Sequence, residues 1–139
     1  MPRVLAGLAA CLLLAAGCGS SRTQHASSPA RGVNERDFHI TAPAALRAGD
    51  YTFSIHNEGS TDHELILVRS ATGASLPLRA DGLTVDEETI AHLEPGSLPP
   101  GAPGAVRPLA VHLSPGRYTF FCNMEGHYMA GMHAELVVS

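Results

Sequence analysis

The 139-residue chain contains no lysine; its nine basic residues are all arginine, and they form no run. Nucleic acid is therefore not an expected partner. Beyond Arg3, eight arginines face thirteen acids, so the body of the chain is mildly acidic, as a solvated surface is. Long apolar runs are also scarce. The longest, at residues 4–16, is too short for an ordinary membrane span. Cysteine occurs only at positions 11, 18 and 122. No internal repeat, phosphate-binding glycine loop or nucleophile–base triad stands out. The length suits one domain.

What is present begins with a secretory pattern. Met1-Pro2-Arg3 is a short positive region, residues 4–16 are rich in Leu and Ala, and small residues precede Cys18. Leu14-Ala15-Ala16-Gly17-Cys18 resembles a bacterial lipoprotein signal. That resemblance implies cleavage before Cys18, lipidation of its thiol, and anchoring to the extracytoplasmic side of a membrane, since two acyl chains suffice for stable attachment. Residues 1–17 are read as the signal peptide. Residues 18–36, rich in Ser, Ala and Gly without apolar periodicity, are read as a lipidated cysteine and flexible tether. Residues 37–139 are read as the folded domain.

In this reading Cys11 leaves with the signal and Cys18 carries lipid, so Cys122 is alone in the domain and no internal disulfide can form. A lone cysteine in an exported protein calls for an explanation. A buried inert thiol is one; a metal thiolate is the other, and its neighbours favour it.

Along the domain, apolar alternation predicts strands. Residues 38–41 form a first short one, and Tyr51, Phe53 and Ile55 share a face of the next. The near-continuous run Leu65-Ile66-Leu67-Val68 predicts a strand buried on both faces. Thr84 and Glu87 fit a capping box, predicting a short helix over residues 85–93. Residues 97–104, with three prolines and two glycines, read as a surface loop. Leu109, Val111 and Leu113 alternate, as do Tyr118, Phe120 and Cys122, which places Cys122 inward at a strand end. Ala134, Leu136 and Val138 face inward in the last strand. The expected fold is an all-β Greek-key sandwich of about seven strands with one short helical insertion.

The stretch Cys122-x4-His127-x4-Met132 places a thiolate, an imidazole and a thioether within eleven residues. Soft sulfur donors with imidazole suit copper or zinc, and Cys, His and a weak axial Met are three of the four ligands of a blue-copper site. The fourth is expected to be a histidine elsewhere in the chain, and His63, at a turn-to-strand junction, is the candidate. Met124 is too close to Cys122 to close the site easily; Met129 is a rival to Met132. His133 should face outward, His39, His56, His92 and His112 read as surface histidines, and His25 lies in the tether.

These residues closely resemble the cupredoxins, the small blue copper proteins. Phe121-Cys122-x4-His127-x4-Met132 is most similar to the rusticyanin, auracyanin and sulfocyanin branch. Asn57-Glu58-Gly59-Ser60-Thr61-Asp62-His63 resembles the segment that carries the first ligand, and Leu113-Ser114-Pro115-Gly116 resembles the turn before the cysteine strand. The resemblance spans residues 38–138. It implies one type 1 copper with His63, Cys122 and His127 equatorial and Met132 axial. It also implies an asparagine just before the first histidine; here Asp62 stands there, leaving Asn57 or Asn123 as substitutes.

The function expected is a membrane-tethered, monomeric electron carrier that cycles Cu(I)/Cu(II). It is not expected to be an enzyme. It would exchange electrons with redox-protein partners through an apolar patch of Tyr128, Met129 and Gly131. The alternative is an extracytoplasmic copper-binding or copper-delivery lipoprotein without electron transfer. A third reading, a structural lipoprotein holding zinc or nothing, is disfavoured by the thioether.

Overall fold

The computed structural model describes residues 30–71 and 75–139. The lipidation candidate Cys18 and most of the expected tether lie outside these residues. Nine strands form two sheets, among the described residues. The first sheet runs in the order β2 (His39–Thr41), β1 (Arg31–Arg36), β4 (Gly49–Asn57), β7 (Val106–Leu113). The second runs β3 (Ala45–Leu46), β9 (His133–Val138), β8 (Gly116–Phe121), β5 (His63–Arg69), β6 (Gly96–Gly101). β1 pairs parallel to β4, and β3 parallel to β9; the other pairs are antiparallel.

The alternation read from sequence is what joins the sheets. Phe53, Ile55, Leu109, Val111 and Leu113 from the first sheet meet Leu65, Leu67, Phe120, Leu136 and Val138 from the second in one buried cluster. Phe53 and Phe120 meet edge to face, with ring centroids 5.2 Å apart. Tyr118 points inward too, and its hydroxyl donates to the Ser114 carbonyl at 2.9 Å, closing the turn before β8.

β5 is buried on both faces, as its apolar run predicts. Its outer residues Ile66 and Val68, with Phe121, pack under Leu76, Val85 and Ile90 of the segment between β5 and β6. That segment is less helical than expected. α1 covers only Glu87–Ile90 and continues as a 3₁₀ turn, Ala91–Leu93. The expected capping box does not form. Asp86 occupies the N-cap without a side-chain cap bond, and Thr89 Oγ1 donates to its carboxylate at 2.8 Å. Tertiary contacts override the local signal: Val85 is held extended by a bridge to Leu78 and by the Asn123 side chain.

Three further expectations are corrected. The boundary between tether and domain does not fall at residue 36/37, because Arg31–Arg36 is strand β1, with Val33 and Glu35 fully buried. Phe38 is not in the first strand; it sits in the two-residue turn between β1 and β2 with φ 65°. Most of the expected 97–104 loop is strand β6, which tolerates Pro99 and Pro100 because it is a sheet edge.

Glu35 breaks the apolar pattern of β1. An inward strand position should be apolar, but this carboxylate is accommodated by Arg107 of β7, whose Nη2 donates to Glu35 Oε2 at 2.9 Å. The same guanidinium donates to the carbonyls of His63 (3.1 Å) and Pro99, joining both sheets at one end of the sandwich. A Cβ at Gly101 would lie 2.5 Å from Arg107 Nε, so any larger residue there would displace the guanidinium.

Burial pushes the Glu35 carboxyl up from 4.5 to about 7, against the pull of Arg107. Between those values the folded state holds a proton that the unfolded state has released, so this group's contribution falls as pH rises from 4.5 to 7. His63, whose own pKa is lowered, works in the opposite direction. The effect of Glu35 is therefore read as a difference. In urea unfolding of the metal-free protein at pH 5 and pH 8, Glu35→Gln should gain up to roughly 3 kcal/mol on the wild type between the two.

Candidate metal centre

β5 and β8 are antiparallel neighbours, with Ile66 opposite Phe121. The start of β5 and the end of β8 therefore lie together, and His63 and Cys122 are brought to one end of the core. β5 has a register irregularity between His63 and Leu65, where it meets β6. Such bulges re-aim side chains beside functional sites. Both residues are fully buried.

The loop after Cys122 turns back at once. Cys122 N–H donates to the Met132 carbonyl at 3.1 Å, and Met132 N–H to the His127 carbonyl at 3.0 Å. The backbone of all three sequence-predicted loop residues is thus tied together. Gly126 and Gly131 have φ 80° and 102°, conformations that favour glycine and let the loop close so tightly.

Cys122 Sγ lies 3.5 Å from His127 Nδ1 and 3.9 Å from His63 Nδ1. The three donor atoms all fall within 4.8 Å of one another. Bonds of about 2.0–2.3 Å to a shared ion permit such separations. Met132 is fully buried in the same cluster as Cys122. His63, Cys122 and His127 are thus brought together. His39, His56, His92 and His112 do not join them, and His133 is exposed.

Burial pushes the Cys122 thiol up to about 11, although the backbone N–H groups of Met124 and Glu64 point at its sulfur and act the other way. Burial also lowers the His63 pKa, keeping that imidazole neutral with a lone pair to give.

The asparagine question resolves into two separate roles. Asn57 builds the turn before His63: its amide donates to the Thr61 and Gly101 carbonyls, both at 2.8 Å, and its oxygen accepts from Gly59 N–H at 2.9 Å. Asn123 anchors the cysteine loop to the β5–β6 insertion. It accepts from Val85 N–H at 2.6 Å and donates to the Val85 carbonyl and Glu87 Oε1. Asp62 is exposed.

Three residues at the site were not anticipated. Asp37 Oδ1 lies 3.1 Å from His63 Nε2. Phe38 packs edge-on against the His127 ring at 5.3 Å. Arg107 holds the His63 carbonyl. None has a spacing signal in the sequence, because each reaches the site from another strand or hairpin. Tyr128, expected on an outer patch, instead turns inward: its ring meets Phe121 and its hydroxyl accepts Leu76 N–H at 3.0 Å.

An all-β sandwich with a Cys–His–His cluster at one end defines the cupredoxin class. Residues 20–139 match the model of the sulfocyanin (SoxE) domain. The chain belongs to that family. Its fold is similar to a dithionite-reduced auracyanin of Roseiflexus castenholzii at TM-score 0.60 and 16% identity, covering 81% of this chain and 98% of that one. An azurin of Methylomonas sp. strain J aligns at TM-score 0.57 and 17% identity, over 78% and 95% of the two chains. Rusticyanin of Thiobacillus ferrooxidans aligns at 0.52 and 14%, over 78% and 76%. No curated protein matches in sequence.

Replacing Asn123 by alanine would leave the buried Val85 N–H without its acceptor and the Val85 carbonyl with the Glu87 N–H alone. A loss of about 2–4 kcal/mol is expected in chemical unfolding, with faster amide exchange confined first to residues 76–93.

Proposed function

We propose that this chain is a one-electron carrier built around a single type 1 copper. The observation that supports it most is the donor set: one buried thiolate and two imidazole Nδ1 atoms converge, with a buried methionine backbone-tied to two of them. His63, Cys122 and His127 are the equatorial ligands in this reading, and Met132 the weak axial one. Copper held there supplies the Cu(I)/Cu(II) couple. The protein supplies a fixed donor arrangement, two N–H groups aimed at the sulfur, and exclusion of water from three of the four ligands.

His127 is the partly exposed member of the set. Met129, 56% exposed, and Gly131 lie beside it in the loop, and Phe38 covers its ring. Electrons enter and leave by this edge, to redox proteins bound weakly through a small apolar contact. An export signal and a lipid on Cys18 would tether the monomeric carrier on the extracytoplasmic side of a membrane. Among the described residues no helix is long and apolar enough to cross one.

Copper delivery without electron transfer is the competing reading. The inward thiolate argues against it, since cargo sites favour accessible donors. Titrating the metal-free protein with Cu(II) should give an intense visible thiolate-to-copper band at one equivalent, absent in Cys122→Ala. A colourless adduct, or copper lost quickly to a chelator, would favour delivery instead. Met132→Leu should keep the colour and raise the reduction potential, because removing the thioether withdraws a donor from Cu(II).

A further inference from the structure

The two-residue turn between β1 and β2 is unusual in two ways. Phe38 adopts φ 65°, a region that bulky residues avoid and that costs on the order of 1–3 kcal/mol to hold. Its two side chains also go to different histidines. Asp37 reaches His63 Nε2, and Phe38 lies across the ring of His127 at an interplanar angle of 76°. The two histidine rings are themselves 5.2 Å apart.

The Asp37 contact is built, not incidental. Its carboxylate also accepts from Ser60 N–H (3.0 Å), Ser60 Oγ (2.6 Å) and Thr61 Oγ1 (3.1 Å), which fix its orientation. Gly59 lies directly over the pair: a Cβ there would come within 2.5 Å of His63 Nε2 and 2.8 Å of Asp37 Oδ1. Only glycine leaves room for the carboxylate and the imidazole to meet.

We propose that the Asp37–Phe38 turn is the positioning element of the metal centre. Asp37 accepts the Nε2 proton of His63 and so leaves Nδ1, the atom aimed at the Cys122 sulfur, as the donor. Phe38 roofs His127 and slows exchange at the exposed side of the site. A carboxylate acceptor makes the imidazole a stronger donor, and its negative charge favours the more positive metal ion. Both effects stabilise Cu(II) over Cu(I). This potential-setting part rests on the copper reading above; the tautomer assignment does not.

The experiment uses both forms of the full folded protein. In the metal-free form, long-range ¹H–¹⁵N NMR should show His63 as the Nε2–H tautomer in the wild type. Mixed tautomers are expected in Asp37→Ala and in Gly59→Ala, which wedges the pair apart. Asp37→Asn keeps an acceptor oxygen and should keep the tautomer. In the copper form, Asp37→Asn should shift the Cu(I):Cu(II) ratio at fixed potential about tenfold toward Cu(I), roughly 59 mV upward for one electron. Asp37→Ala should weaken Cu(II) binding by roughly ten- to a hundredfold. Ser60→Ala removes one of the three bonds that orient the carboxylate and leaves Ser60 N–H and Thr61 Oγ1 in place, so it should keep the tautomer and shift the potential by less than Asp37→Asn does. Phe38→Gly suits the turn better, so it should unfold no more easily, yet lose copper to a chelator faster than the wild type.

Mixed His63 tautomers in the wild type would overturn the proposal, as would an unchanged or lowered potential in Asp37→Asn. An equal shift in Ser60→Ala would assign the effect to the loop and overturn it too. If no blue site forms in the wild type, the copper reading fails, while the tautomer result still decides the role of Asp37.

Discussion

The pairing of β5 with β8 is the constraint on which the metal centre depends. Ile66 opposite Phe121 sets a register in which His63 and Cys122 arrive at the same end and on the same face. A strand has a side-chain period of two, so a slip of one residue would send His63 to the outer face and bring Ile66 inward. The register is held from both sides of the sheet. Leu65, Leu67 and Phe120 pack against the first sheet, and Ile66, Val68 and Phe121 pack under the insertion. A strand buried on only one face would be held by half of these contacts. The insertion therefore contributes to ligand placement although it supplies no ligand.

That role explains the position of Asn123. It directly follows Cys122, and its buried side chain makes three hydrogen bonds to Val85 and Glu87 across the outer face. The first residue of the ligand loop is thereby fixed to the layer that covers β5. Arg107 makes the matching connection from the other side, holding the His63 carbonyl while it also donates to Glu35 of β1. One ligand segment is tied to the insertion, the other to the first sheet. The ligand atoms inherit rigidity from two separate bodies of structure.

The parts of this architecture legible in the sequence are those governed by local period. β4, β7, β8 and β9 show alternating inward residues, β5 shows a continuous apolar run, and three of the four site residues fall within one loop, where spacing alone brings them together. What escaped is what depends on distant partners. β1 has a single apolar inward residue, Val33, and its other inward position is Glu35, acceptable only because Arg107 stands 72 positions later in the chain. β6 looks like a loop because prolines are read as breakers, and only its edge position makes them tolerable. The helix was overestimated because Thr84 and Glu87 fit a local capping pattern while Asn123 draws both Val85 and Glu87 elsewhere. Asp37 and Phe38 reach the site by way of a hairpin turn, 26 residues before His63 and 89 before His127. No periodicity reports such a contact.

The electrostatics of the pocket then limit what can occupy it. A thiol pushed up to about 11 by burial is neutral in the metal-free protein, so an ion must displace a proton to bind through sulfur. Weakly binding ions cannot meet that cost, and hard ions gain little from a thiolate. The Met124 and Glu64 N–H groups already aimed at the sulfur lower the cost of the charged form without rearrangement. His63 is kept neutral by the same burial, so it needs no deprotonation to serve as a donor. The pocket thus discriminates through desolvation: it favours an ion that bonds strongly to sulfur and imidazole.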